Sequence, residues 1–245
     1  SALICDILNE QGIYPVVTAG HSLGEYSALV QSGSISLEEA LPLVRARGQL
    51  MEEAYPKGKG AMAAVLGAKQ EKIKEVIEEV DKETEDVVDV ANLNCPGQVV
   101  ISGTKQGIEL ASEKLKQAGK KVIPLNVSGP FHSRLMKPAA EKFSEVLNSV
   151  QINDAKIPIY ANVTAEKVNN SQEITDLLIK QLYSPVRFEE IIEHLLEEEL
   201  DAIIEVGNGK VLSGLVRKVN RRMKTFAVQD PESIQTFVEW YKEES

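Results

Sequence analysis

The sequence predicts an α/β protein, a parallel sheet flanked by helices, with a smaller βαββαβ module inserted into it. Three observations carry this. Outside residues 59–127, apolar strand-like runs alternate with amphipathic helical segments, the pattern that builds a parallel sheet with helical crossovers. Within 59–127 the order is β-α-β-β-α-β, with a Pro96-Gly97 turn between two strands that marks a hairpin. Finally, Gly20-His21-Ser22-Leu23-Gly24 lies between an apolar run and an amphipathic segment, so strand, tight turn and helix follow one another with a serine at the apex.

Taken in order, Leu3, Ile4, Ile7 and Leu8 share one helical face over residues 2–11, and Gly12 ends that helix. Residues 14–19 form the strand into the turn. Such a strand belongs at the centre of a doubly wound sheet, flanked on both sides, yet only one short helix precedes it. We therefore expect the fold to include an N-terminal strand and its loops ahead of Ser1. Residues 25–31 continue as a helix to Gly33. Ser36-Leu37-Glu38-Glu39 is a capping box, and the helix it opens turns Ala40, Leu41, Leu43, Val44 and Leu50 inward while presenting Arg45 and Arg47. A break at 56–60 leads into the module, with strands at 61–66, 87–93, 98–102 and 121–127, helices at 69–82 and 105–117, and Asn94 in the turn before Pro96. This order is that of a ferredoxin-like fold. The main fold resumes with a loop at 128–132, a helix at 133–149, a strand at 157–162, a helix opened by Ser171, and a helix over 188–199. A fully buried strand at 201–206, a helix at 210–222 and a strand at 225–228 complete the pattern.

Bulk properties narrow the function classes. At 43% hydrophobic and 26% charged, this is the composition of an ordinary globular chain. No apolar run approaches the roughly 20 residues of a membrane span, and no export signal opens the sequence. Cys5 and Cys95 fit no metal-ligand spacing, so no metal is expected, and the setting expected is a reducing cytoplasm. The net charge of −10 argues against nucleic acid as a partner, because phosphate binding needs a broad basic surface.

The five-residue turn has the form of a nucleophile elbow. An ordinary glycine turn capped by a serine would share its residues, but the strand before and the helix after are what an elbow requires. A serine hydroxyl becomes a good nucleophile only when a base takes its proton, and the chain offers three histidines. His21 adjoins Ser22 on a sharp turn and is expected to support the turn by hydrogen bonding. His194 lies in a glutamate-rich amphipathic helix and is expected to be solvated or to pack there. His132, on a Gly-Pro loop where the module returns to the sheet, is the favoured base, since strand-end loops carry catalytic groups in such folds. No acid stands out as a third member, and a backbone carbonyl could orient the imidazole instead. Arg47 reads in two ways, as a surface arginine paired with Glu52 or Glu53, or as a guanidinium that forks a substrate carboxylate.

Together, Gly20-His21-Ser22-Leu23-Gly24-Glu25-Tyr26-Ser27-Ala28, Arg47-Gly48, 60–65, 92–101, Phe131-His132-Ser133, Gln181-Leu182-Tyr183 and Glu205-Val206-Gly207 resemble the malonyl-CoA:acyl carrier protein transacylases, in order and along the whole chain. The acyltransferase domains of polyketide synthases are a more distant likeness. The resemblance implies an α/β-hydrolase-like catalytic domain over 1–58 and 128–245 with the ferredoxin-like small domain at 59–127. It implies Ser22 as the nucleophile carrying a malonyl ester, His132 as general base and acid, the Gln181 backbone carbonyl orienting His132, and the Leu23 N–H as an oxyanion donor. It further implies that Arg47 binds the malonyl carboxylate, that Asn94 and His21 face the cleft, and that the bulk of Phe131 restricts an α-methyl branch. The substrates implied are a CoA thioester and the phosphopantetheine thiol of an acyl carrier protein, in fatty acid biosynthesis, with no cofactor. Acyl carrier proteins are acidic, and the basic run containing Arg217, Lys218, Arg221 and Arg222 is the expected docking face. The family opens with a Gly-Gln-Gly-x-Gln loop whose second glutamine gives another oxyanion amide. This sequence lacks that loop, and one lost oxyanion donor costs on the order of 10²–10³ in turnover. Asn208 stands where many members carry proline. The alternatives left open are an esterase or thioesterase using the same elbow, or an inactive fragment that needs its N-terminal piece.

Overall fold

The computed structural model describes residues 1–244. The chain begins with α1 (Ala2–Glu10), β1 (Thr18–Ala19), α2 (Gly24–Gln31) and α3 (Leu37–Glu53). The inserted segment comprises β2 (Gly60–Leu66), α4 (Gln70–Glu83), β3 (Val88–Cys95), β4 (Gln98–Thr104), α5 (Lys105–Gln117) and β5 (Lys121–Pro124). A single 3-10 turn at Arg134–Met136 then leads to α6 (Lys137–Leu147), β6 (Ile159–Tyr160), β7 (Lys167–Val168), α7 (Ser171–Gln181) and β8 (Val186–Arg187). The chain ends with α8 (Phe188–Glu197), β9 (Ile203–Val206), α9 (Val211–Val219), β10 (Thr225–Val228) and α10 (Pro231–Glu244), the last of which the sequence pattern did not single out.

Outside the inserted segment's sheet, parallel pairing occurs in two separate pieces rather than in the one continuous sheet expected. β1 runs parallel to β6, with Thr18 opposite Ile159 and Ala19 opposite Tyr160, and β9 runs parallel to β10 over four residue pairs. No ladder joins the two pieces among the described residues. This explains two departures. The strand expected over 14–19 is confined to its last two residues, because Tyr14 (64% exposed) and Val16 (72%) have no neighbouring strand to cover them. β9, expected to be buried on both faces, is half-buried at every residue because only β10 flanks it.

The inserted segment forms an antiparallel sheet in the order β5-β2-β4-β3, with α4 and α5 packed on one face. Ile73, Val76 and Val80 from α4 and Ile108, Ala111 and Leu115 from α5 close over Val65, Val99 and Ile101. β8 adds a fifth strand, parallel to β3 through Asn92 opposite Val186, so the segment's sheet borrows a strand from the rest of the chain. β3 runs through Asn94 and Cys95, which corrects the placement of Asn94 in the turn; two register shifts in the ladder with β4 let the strand continue to Cys95.

A second core lies between α2, α3, α6 and α7, where Tyr26, Leu29, Leu43, Met51, Phe143, Leu147 and Leu178 meet Ile159 of β6. The capping box forms as expected, with Ser36 accepting from the Glu39 amide. The inward stripe of α3 is Ala40, Leu43, Arg47 and Met51, whereas Leu41 is 64% exposed. Likewise Leu3 of α1 faces outward and Leu8 inward. The cap of α7 is Asn170 rather than Ser171, its Oδ1 accepting from the amides of Gln172 and Glu173. α9 stops at Val219, so Arg221 and Arg222 lie in the turn beyond it.

Candidate active site

β1 and α2 approach so closely at Gly20 that a Cβ there would lie 2.0 Å from the carbonyl carbon of Gly24. At Gly24 a Cβ would meet nothing within 4 Å, so the closeness depends on the first glycine alone. Between them Ser22 is held at φ 52°, a conformation that costs an L-residue about 1–2 kcal/mol. Asn162, two residues past β6, holds the turn from both sides. Its Oδ1 accepts from the Ser22 amide at 2.7 Å, and its Nδ2 donates to the Gly20 carbonyl at 2.6 Å. The pairing of β6 with β1 is what brings it there.

His132 lies on the loop between β5 and the 3-10 turn, at φ 59°. Its own amide donates to Leu182 O at 3.2 Å, fixing the loop to the end of α7, and Ser133 Oγ donates to Pro130 O at 2.6 Å within the loop. The ring is buried, with Nδ1 2.8 Å from Gln181 O and Nε2 2.8 Å from Ser22 Oγ. A carbonyl only accepts, so Nδ1 carries the proton and Nε2 is free to accept from the Ser22 hydroxyl. Burial, and secondarily the Arg47 charge, push the His132 pKa down to about 3, so the imidazole is neutral in the resting site.

Arg47 is buried within α3's inward stripe, and its guanidinium lies 5.6 Å from the Tyr26 ring centroid. One terminal nitrogen donates both to Ser22 Oγ and to Gln181 Oε1, each at 2.9 Å. The Gln181 amide nitrogen donates to Glu25 Oε2 at 2.6 Å and to Ser22 O at 3.1 Å. Glu25, 4% exposed on the first turn of α2, also accepts from the Asn162 amide at 3.3 Å. Desolvation raises its pKa to about 7, against the opposing pull of these hydrogen bonds and of Arg47. The array combines an activated hydroxyl, a neutral base of fixed tautomer and a buried cation directed at the hydroxyl. It is suited to acyl transfer through a serine ester. Among the described residues no group of three or more His, Cys, Asp or Glu is arranged to hold a metal ion.

Residues 2–239 match the acyl transferase domain family. The chain belongs to that family. The malonyl CoA-acyl carrier protein transacylase of Bacillus subtilis (strain 168) is 55% identical over 246 residues, covering 100% of this chain and 77% of the relative. The transacylase of the same name from Staphylococcus aureus (strain MSSA476) is 46% identical over 235 residues, covering 96% of this chain and 75% of its own length. The crystal structure of the transacylase from Clostridium perfringens superposes with a TM-score of 0.94 at 39% identity, covering 98% of this chain and 75% of that one. A type II PKS acyl-carrier protein in complex with its malonyl-transacylase gives a TM-score of 0.93 at 40% identity, over 96% of this chain and 76% of that one. The resemblance read from the motifs is therefore to the right family.

Within this acyl transferase the remaining residues singled out from sequence fall in three places. His21 and Asn94 meet across the boundary with the inserted segment, His21 Nε2 lying 2.8 Å from Asn94 Oδ1, and the His21 ring packs 5.1 Å from Phe188. His21 thus ties the elbow to β3 rather than supporting its own turn. Phe131 is half-buried and touches both the main core and the small cluster of Met62, Ala91 and Val100 on the inserted sheet. The Leu23 side chain is 53% exposed, and its N–H, at the start of α2, has no acceptor among the described residues. Arg217, Lys218, Arg221 and Arg222 are exposed and make no contact with Ser22, His132 or Arg47. His194 Nδ1 donates to Ala165 O, 2.8 Å away, and the ring packs against Tyr160, outside the site.

Sequence reasoning missed Glu25, Asn162 and the side chain of Gln181. A glutamate in the first turn of a helix reads as a favourable partner for the helix dipole, which conceals a burial that the spacing of Glu25, Ala28 and Leu29 encodes.

Proposed function

We propose that this chain transfers the malonyl group from malonyl-CoA to the phosphopantetheine thiol of an acyl carrier protein, in fatty acid biosynthesis in the cytoplasm. Among the described residues no helix is long and apolar enough to cross a membrane. The architecture is read as an α/β-hydrolase-like catalytic domain over 1–58 and 128–245 carrying a ferredoxin-like small domain at 59–127. The observation that carries the functional reading is the buried Arg47 guanidinium 2.9 Å from the nucleophile oxygen. A cation fixed beside a nucleophile favours an acyl group that brings its own carboxylate, and each charge-assisted hydrogen bond contributes about 1.5–3 kcal/mol.

In the first half-reaction His132 Nε2 takes the Ser22 proton as Oγ attacks the thioester carbonyl carbon. Negative charge develops on the carbonyl oxygen, toward the Leu23 N–H at the head of α2. The tetrahedral adduct collapses by breaking the carbon–sulfur bond, and the imidazolium returns its proton to the CoA sulfur. Arg47 pairs with the malonyl carboxylate throughout. In the second half-reaction His132 removes the proton of the carrier thiol, sulfur attacks the ester carbon, and Ser22 Oγ leaves with that proton. The Gln181 carbonyl stabilises the imidazolium in both halves. Phe131 closes the acyl pocket, His21 and Asn94 border it, and Arg217, Lys218, Arg221 and Arg222 form the face that meets the acidic carrier.

Intact-mass measurement after mixing with malonyl-CoA tests the reading. A malonyl adduct that disappears in Ser22→Ala supports it; no adduct on folded protein overturns it.

A further inference from the structure

The guanidinium of Arg47 is buried, yet among the described residues its Nε has no hydrogen-bond partner, and its hydrogen bonds to Ser22 and Gln181 both run through one terminal nitrogen. One of those contacts is to Ser22 Oγ, the atom that becomes an ester oxygen in the acyl-enzyme and is then a poorer acceptor. The other is to the side-chain oxygen of Gln181. Through most of the reaction, then, the Gln181 carboxamide is what aims the cation.

A carboxamide can flip end for end, and here its direction is fixed by charge. Its nitrogen faces the Glu25 carboxylate at 2.6 Å and its oxygen faces Arg47 at 2.9 Å. Turned over, it would set its N–H against a guanidinium that only donates and its oxygen against the Glu25 oxygen that accepts from it and from the Asn162 amide, two mismatched contacts in a buried site. Glu25 is itself held by the Asn162 amide, on the residue that clamps the elbow. Arg47 and Glu25 form no direct ion pair, and the amide between them transmits the orientation.

We propose that Glu25 is a positioning residue for acyl-group selection: through the Gln181 carboxamide it holds the Arg47 guanidinium in the direction that meets an acyl carboxylate. This rests on the reading of Arg47 given above. It assigns Gln181 two separable roles, the backbone carbonyl serving His132 and the side chain serving Arg47.

The separation makes a test possible, because Gln181→Met keeps the carbonyl and removes the carboxamide. The readout is the ratio of malonyl to acetyl loading of Ser22 from the two CoA thioesters, followed by rapid-quench intact mass. A merely structural role lowers both rates and leaves the ratio alone. Gln181→Met should lower the ratio by roughly 10- to 100-fold, and Glu25→Gln by roughly 5- to 30-fold, the range that one lost buried hydrogen bond spans. The double variant should be no worse than Gln181→Met alone, since both act along one path. A ratio within about threefold of the unmodified protein in Gln181→Met, or fully additive effects, overturns the proposal. Should Glu25→Gln fail to fold by circular dichroism, Gln181→Met carries the test. Arg47→Ala separates the two levels: an unchanged ratio there overturns the reading of Arg47 and this proposal with it. A collapsed ratio in Arg47→Ala, with an unchanged one in Gln181→Met, overturns this proposal alone.

Discussion

Ser22 and His132 face each other across a 2.8 Å hydrogen bond with both backbones at positive φ, 52° and 59°. Neither is glycine, so the fold holds two unfavourable conformations at the two residues proposed to do the chemistry. Comparing Ser22→Gly with Ser22→Ala isolates the backbone term, since both lose the hydroxyl. The glycine variant should be the more stable by about 0.5–1 kcal/mol, the left-handed relief less the extra freedom of glycine in the unfolded chain; denaturant titration of the pair measures it. His132 also links stability to acid. Its pKa falls from an ordinary 6.5 to about 3 in the folded protein, so its contribution is complete above 6.5 and is lost as pH falls through about 3. Glu25 has the opposite sign: raised from 4.5 to about 7, its contribution is complete below 4.5 and is lost as pH rises through about 7. In melts across this range, His132→Ala should therefore flatten the loss on the acid side, and Glu25→Gln should flatten the loss between about pH 4.5 and 7. A steeper acid limb in His132→Ala would contradict the buried neutral imidazole.

At the scale of elements, the elbow depends on its two glycines unequally. Gly20→Ala drives a methyl into the Gly24 carbonyl, backbone that cannot step aside without parting β1 from α2, and should destabilise by at least the 1–3 kcal/mol typical of overpacking. Gly24→Ala meets open space at the first position of a helix and should be neutral or stabilising by about 0.5–1 kcal/mol. Equal losses of Tm in the two variants would sink this distinction. The strand-turn-helix, the βαββαβ order and the capping box were all legible because each is written in local pattern. What failed depended on neighbours. Residues 14–17 have the composition of a strand, but a strand exists only where another pairs with it. Arg47 was left with two readings, a surface arginine or a guanidinium turned to a substrate carboxylate; its place four residues from both Leu43 and Met51, on the buried stripe, was the signal against the surface one. Asn162 could not be read at all. Its role comes from strand pairing between segments 140 positions apart.

For the whole molecule, the net charge of −10 sets the terms on which an acidic carrier can approach. In the proposed reaction general repulsion must be overcome by a local patch, and the basic run at the end of α9 is the one we propose for it. Lys218 Nζ donates to Gln98 Oε1 at 2.8 Å, at the β3–β4 hairpin, so the run lies where the inserted segment meets the rest of the chain. Arg217 is partly committed to Thr225, through a 2.9 Å bond from Nε. Arg221 and Arg222 follow the helix on an exposed turn, with neither side chain engaged in a hydrogen bond or ion pair among the described residues. Those two are the charges free to meet a partner. Reversing both to glutamate should raise the KM for carrier protein roughly tenfold, mainly through slower association, with a difference that shrinks as salt is added. The rate of Ser22 loading from malonyl-CoA, measured without carrier, should stay as it was, because neither arginine touches the acyl site. A KM for carrier protein that does not move, at low salt, would remove this face from the docking surface.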